Sequence, residues 1–237
     1  MTILPPIKWT ASPNFSSRGG QKVRLICAHD CEGSYEGSIA WFAQGRSQVS
    51  AHLVLREDGL EATQMVAWAN KAWHACNFNP FSEGIEAAGF AAKGFGAPEL
   101  NALAALVAWR LHENCIPCQE ATAANDWTGF TEHAKLGALG GGHRDFTESP
   151  VIWSDFVSRV IKAYANGAQI GPQVVTAPVP PPPIGYWPNT SPRIDEAAKI
   201  AMSLKTAVEA FQKSEGLTID GDPGPETRAA FLKALAA

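Results

Sequence analysis

Apolar positions along this chain follow two periods, and the switch between them predicts the elements. Val23 to His29 is an almost unbroken apolar run, the pattern of a strand buried on both faces. Ala51 to Arg56 and Glu61 to Val66 alternate as strands, joined across the turn signal Glu57-Asp58-Gly59. Ile85 to Ala88 reads as a further short strand, and Gly37 to Gln44 as a short helix carrying Ile39, Trp41 and Phe42. Leu100 to His112 places Leu100, Leu103, Leu106, Val107 and Leu111 at helical spacing, and Ile152 to Tyr164 repeats the pattern. Trp41 and Trp109, on amphipathic helices, are expected in the core. Strands interleaved with helices predict an α/β domain with a mixed central sheet flanked by helices.

The pattern stops at Pro178-Val179-Pro180-Pro181-Pro182-Pro183, which can neither continue a helix nor join a sheet and acts as a semi-rigid spacer. Beyond it, Glu196 to Lys213 is again helical in spacing. A loop, Gly216 to Pro225, leads into a last helix whose first turn Pro225 suits. The expected organisation is a first domain over 1–170, a linker over 171–192 and a small all-α domain over 193–237.

Composition narrows the function classes. A net charge of -4 over 237 residues disfavours binding along a nucleic-acid backbone, and no apolar stretch reaches the length of a membrane span. Met1-Thr2-Ile3-Leu4-Pro5-Pro6 lacks the basic-then-apolar order of a secretory signal, so the expectation is synthesis in the cytoplasm and action elsewhere only after release. Of the five cysteines, Cys27 reads as a small buried hydrophobe. Cys115 and Cys118 form a lone CxxC, better suited to a local disulfide or two free thiols than to a structural metal site.

Candidate chemistry lies around two histidines in polar, glycine-flanked settings, His29 and His143. Two imidazoles and a carboxylate brought together from different strands are what a hydrolytic zinc site needs, with one position left for water. For the third ligand the chain offers Ser149, a poor donor to zinc beside a thiolate or carboxylate.

The C-terminal series Phe211-Gln212, Gly216-Leu217-Thr218-Ile219-Asp220-Gly221 and Gly224-Pro225-Glu226-Thr227 resembles the three-helix peptidoglycan-binding module of cell-wall hydrolases, which implies binding without catalysis. From about Val23 to Phe156, six short motifs in order resemble the zinc-dependent N-acetylmuramoyl-L-alanine amidases of the type-2 family, which also contains peptidoglycan recognition proteins. They include Ala28-His29-Asp30, Trp73-His74-Ala75, Gly84-Ile85-Glu86 and Gly142-His143-Arg144-Asp145.

This resemblance implies zinc on His29 and His143, with the third ligand position at Ser149; Glu148, Asp145 or Cys31 are the alternatives. It places the catalytic carboxylate at Glu86 and an oxyanion-stabilising hydroxyl at Thr147. His52 and His74 either line the cleft or pack structurally, and Asn79 contacts peptide or sugar. The implied reaction is hydrolysis of the amide between N-acetylmuramic acid and L-alanine during cell-wall lysis, by a monomer whose partner is bacterial peptidoglycan and which neither binds nucleic acid nor inserts into a membrane. The alternative from another class is a peptidoglycan-binding protein without catalysis, since some recognition proteins of the family carry serine at the third position.

Overall fold

The computed structural model describes residues 4–143, 145–146 and 150–167, together with 209, 212 and 213. The order is β1 (Ile7–Trp9), β2 (Phe15–Ser17), β3 (Leu25–Asp30), α1 (Tyr35–Phe42), β4 (Leu53–Leu55), β5 (Ala62–Gln64), β6 (Asn70–Ala72), β7 (Ser82–Ala87), α2 (Ala97–Glu113), β8 (Gly129–Glu132), α3 (Gly137–Gly140) and α4 (Pro150–Ala165). Single 3-10 turns join several of them, notably Cys76–Phe81 and His133–Leu136.

Six strands form one mixed sheet in the order β1-β5-β4-β7-β3-β8, and β2 pairs with β6 separately. Strands β4, β7, β3 and β8 run parallel, while β5 is antiparallel to β4. The β4–β5 hairpin turns at Gly59, whose φ of +73° is a conformation that glycine adopts without strain. All six residues of β3 and of β7 are buried, as expected of central parallel strands covered on both faces.

Alternation along the strands divides the side chains between the two faces. Ile26, Ala28, Leu53, Leu55, Ile85 and Ala87 pack against α2 and α4 in the main core. On the opposite face Leu25 and Cys27 meet Ala75, Phe78 and Leu136, and Val54 meets Tyr35, Phe42 and Met65. Helix α2 has Pro98 in its first turn, Glu99 near its N-terminus, and Arg110 and His112 in its last turn, which complements the helix dipole.

The mixed sheet flanked by helices agrees with the sequence expectation. Four short strands escaped it: β1, β2, β6 and β8 have three or four residues each, too few for a periodic signal. Trp109 is in the core, but Trp41 is 47% exposed. Helix α1 buries Tyr35, Ser38 and Phe42 instead, so its inner face is turned away from Trp41. All five cysteines are free thiols.

The chain divides into two compact units, Met1–Val179 and Pro180–Ala237. The predicted linker, and the predicted C-terminal domain apart from residues 209, 212 and 213, lie outside the described residues. No described helix is long and apolar enough to cross a membrane.

Candidate metal centre

Three adjacent parallel strands, β7, β3 and β8, bring their carboxyl ends together, the usual location of a site in a parallel sheet. His29 is the fifth of six residues in β3 and stands in register with Glu86 of β7. His133 follows β8 directly. Asp145 arrives from the loop before α4 and is held by its neighbour. The Phe146 ring is buried between Phe95 and Phe156, and its backbone N–H donates to Asp30 Oδ2 at 3.2 Å.

His29, His133 and Asp145 form a group whose donor atoms all lie within 4.8 Å of one another. Asp145 Oδ2 is 3.0 Å from Nδ1 of His133 and 3.5 Å from Nδ1 of His29. Even so, this buried oxygen has no hydrogen bond of acceptable geometry. His133 Nε2 lies 2.7 Å from the Gly140 carbonyl oxygen, which can only accept, so a proton sits on Nε2 and Nδ1 is the nitrogen that would ligate once the ring is neutral. Two imidazoles and one carboxylate are a donor set that zinc takes readily.

Electrostatics points the same way. Burial pushes the Glu86 carboxyl well above its ordinary pKa, and Asp145 and Asp30 add to the effect. Burial, then Asp145, raises Asp30 to about 7. Burial also opposes ionisation of Asp145, but His133 and His29 outweigh it and hold that carboxyl below the usual carboxylate range. Burial lowers His29 to about 4, so this ring is neutral at pH 7. Burial disfavours the charged form of His133, but Asp145 and the Gly140 carbonyl outweigh it and raise its pKa. One imidazole therefore faces three buried acids, and a divalent cation would supply the remaining positive charge.

A second group, Cys27, His29 and His74, also brings its donor atoms within 4.8 Å of one another, but its atoms are already occupied. His29 Nε2 lies 2.9 Å from His74 Nδ1, and burial keeps the Cys27 thiol protonated by raising its pKa.

The residues singled out from the sequence are distributed unevenly around this centre. His29 and Glu86 are in it. His143 is exposed and outside both groups, its ring stacked on His133 at 4.6 Å between centroids, so His133 occupies the place in the group expected for His143. Asp145, an alternative third ligand, is in the group; Cys31 is in neither. Ser149, Glu148 and Thr147 lie outside the described residues.

His52 has no exposed surface with which to meet a substrate. Its Nδ1 accepts the Gly84 N–H, its ring stacks on Trp68, and burial together with the Arg18 guanidinium pushes its pKa down to about 3. Asn79 has a structural task, since its Oδ1 accepts the backbone N–H groups of His74 and Ala75 at 3.0 and 2.6 Å. His133 was not foreseen. The available signal was its place at the end of Gly129-Phe130-Thr131-Glu132, which mirrors His29 at the end of its own strand, but this strand has a single large apolar residue.

The fold resembles that of several solved structures. Staphylococcus aureus hydrolase AmiA in complex with its ligand aligns with a TM-score of 0.56 at 17% identity, over 68% of this chain and 84% of that one. The PlyG catalytic domain aligns with a TM-score of 0.51 at 16% identity, over 67% and 94%. At these identities the likeness is one of fold. Sequence gives the family: residues 19–150 match the family described as N-acetylmuramoyl-L-alanine amidase, and the chain belongs to it. Residues 185–231 match a peptidoglycan binding domain. N-acetylmuramoyl-L-alanine amidase A of Achromobacter lyticus is 38% identical over 121 residues. That match covers 50% of this chain and 65% of the relative, so the chain spans just under two thirds of it.

Proposed function

We propose that this protein hydrolyses the amide bond between N-acetylmuramic acid and L-alanine in bacterial peptidoglycan, using zinc held by His29, His133 and Asp145. The observation that carries the reading is the convergence of these three donors beside Glu86 in a chain of this family. Bound zinc supplies a Lewis acid that polarises an amide carbonyl and makes water a stronger acid. Glu86, whose proton affinity burial and the neighbouring carboxylates raise, takes the proton from the attacking water and returns it to the leaving amine. His143, two residues before Asp145 with its ring exposed on His133, is placed to donate a hydrogen bond to the developing oxyanion, the task assigned from sequence to Thr147. The region matching a peptidoglycan binding domain holds the enzyme on its polymer.

The reading without catalysis drew its support from Ser149. Asp145 in the metal group removes the need for a ligand there. The test is clearance of purified murein sacculi with mass analysis of the fragments. New L-alanine amino termini, lost on chelation and restored by zinc, are expected. Cleavage between sugars, or no clearance at any zinc concentration, would overturn the reading.

A further inference from the structure

Behind His29, on the side away from Asp145, lies a second imidazole. His29 Nε2 is 2.9 Å from His74 Nδ1, with the rings edge to face at 84°. The other nitrogen of His74, Nε2, is 3.0 Å from Ser82 Oγ. Two neutral hydrogen-bond patterns satisfy this row. In one, Ser82 donates to His74, His74 donates to His29, and the His29 proton sits on Nδ1, facing Asp145. In the other, His29 Nε2–H donates to His74 and His74 Nε2–H donates to Ser82. Only the second leaves the Nδ1 lone pair of His29 free for a cation shared with His133 and Asp145.

The surroundings of His74 are fitted to its ring. Gly84, in the middle of a central strand, has no positive φ to account for a glycine there. A Cβ at that position would stand 2.6 Å from His74 Cγ and 2.7 Å from Nδ1. The glycine therefore provides a slot in which the imidazole lies flat on β7. Asn79 clamps the backbone at His74 and Ala75 from the other side.

We infer that His74 is a positioning residue for the metal centre: it accepts the Nε2–H of His29, and with Ser82 and Gly84 holds His29 in the tautomer and orientation that present Nδ1 to zinc. A metal-bound histidine generally has its second nitrogen tied to a carboxylate, carbonyl or water; here another histidine, relayed to a serine hydroxyl, takes that role. The inference rests on zinc binding as proposed above.

The experiment measures the zinc affinity of the full chain by competition with a chromophoric chelator at neutral pH. His74→Phe fills the slot without an acceptor and is expected to weaken zinc binding by roughly 10–100-fold, with the circular dichroism spectrum of the fold retained. His74→Asn puts an amide oxygen where Nδ1 stands and is expected to recover most of that loss. Nitrogen-15 spectra of the zinc-loaded protein should show the His29 ring proton on Nε2, coupled across a hydrogen bond to His74. Wild-type affinity in His74→Phe, or equal losses in the Phe and Asn variants, would overturn the positioning role. His133→Ala separates the two readings. If it binds zinc as the wild type does, the metal centre itself is misassigned; if it alone loses zinc, only the role of His74 falls.

Discussion

Two buried glutamates three residues apart on β7 face opposite sides of the sheet and meet opposite fates. Glu83 points toward α2, where Arg110 grips it with two hydrogen bonds of 2.7 and 2.9 Å. Asn114 adds a third contact, and the guanidinium lies over the Trp68 ring at 3.8 Å. Glu86 points the other way, toward Asp145 and Asp30, with no cationic side chain among the influences on it. The first is a closed ion pair in which both carboxylate oxygens are bonded. The second belongs to a cluster with too much negative charge and an unbonded carboxylate oxygen. The second arrangement is one that a bound cation would complete. A paired carboxylate on one face and an unpaired cluster of acids on the other distinguish the two kinds of burial on this strand.

That contrast can be broken most strongly from the closed side. Arg110→Ala strands a glutamate that has no exposed surface, and should cost about 3–5 kcal/mol in a denaturant titration. Glu86→Gln tests the open side and should change sign. Hydrolysis should fall by about 10²–10⁴-fold in a sacculus assay, yet the metal-free protein should be more stable than the wild type, because an acid that burial and its carboxylate neighbours hold away from its ordinary pKa has gone. A loss of stability comparable to that of Arg110→Ala would erase the distinction.

Zinc should matter only on the open side. At free metal 100-fold above the dissociation constant it should stabilise the wild type by about 2.7 kcal/mol in thermal unfolding, and chelation or His133→Ala should abolish this increment. The smallest effect belongs to a third buried acid, Glu99, which burial and then Glu57 raise from 4.5 to about 8. The folded state holds this proton where the unfolded chain has lost it. Its contribution is therefore fully present below pH 4.5 and is lost as pH rises through 8. Glu99→Gln should flatten that part of the stability–pH curve, and an unchanged slope would show that Glu99 is ionised when folded.

The legible parts of the molecule were those with long periodic patterns. β3 stands out as a nearly unbroken apolar run, α2 and α4 by apolar residues at helical spacing, and the β4–β5 hairpin by its turn residues. His29 was legible from its place near the end of a recognisable strand, and Glu86 through the family resemblance. His133 was hidden because β8 depends on its neighbour β3 more than on its own side chains. His143 drew attention through its glycines, but those glycines belong to a turn at the surface. The family resemblance also drew attention to His143 and passed over His133 ten positions earlier, which the placement of β8 beside β3 brings to the centre.

Phe146 gives the centre a dependence on temperature. Asp145 is carried by a residue whose ring lies in the core beneath α4, not by the sheet that carries the two histidines. On heating, anything that loosens α4 should withdraw the carboxylate while β3, β7 and β8 remain paired. The metal would then be released from a protein that still has its sheet, and loss of activity would precede unfolding.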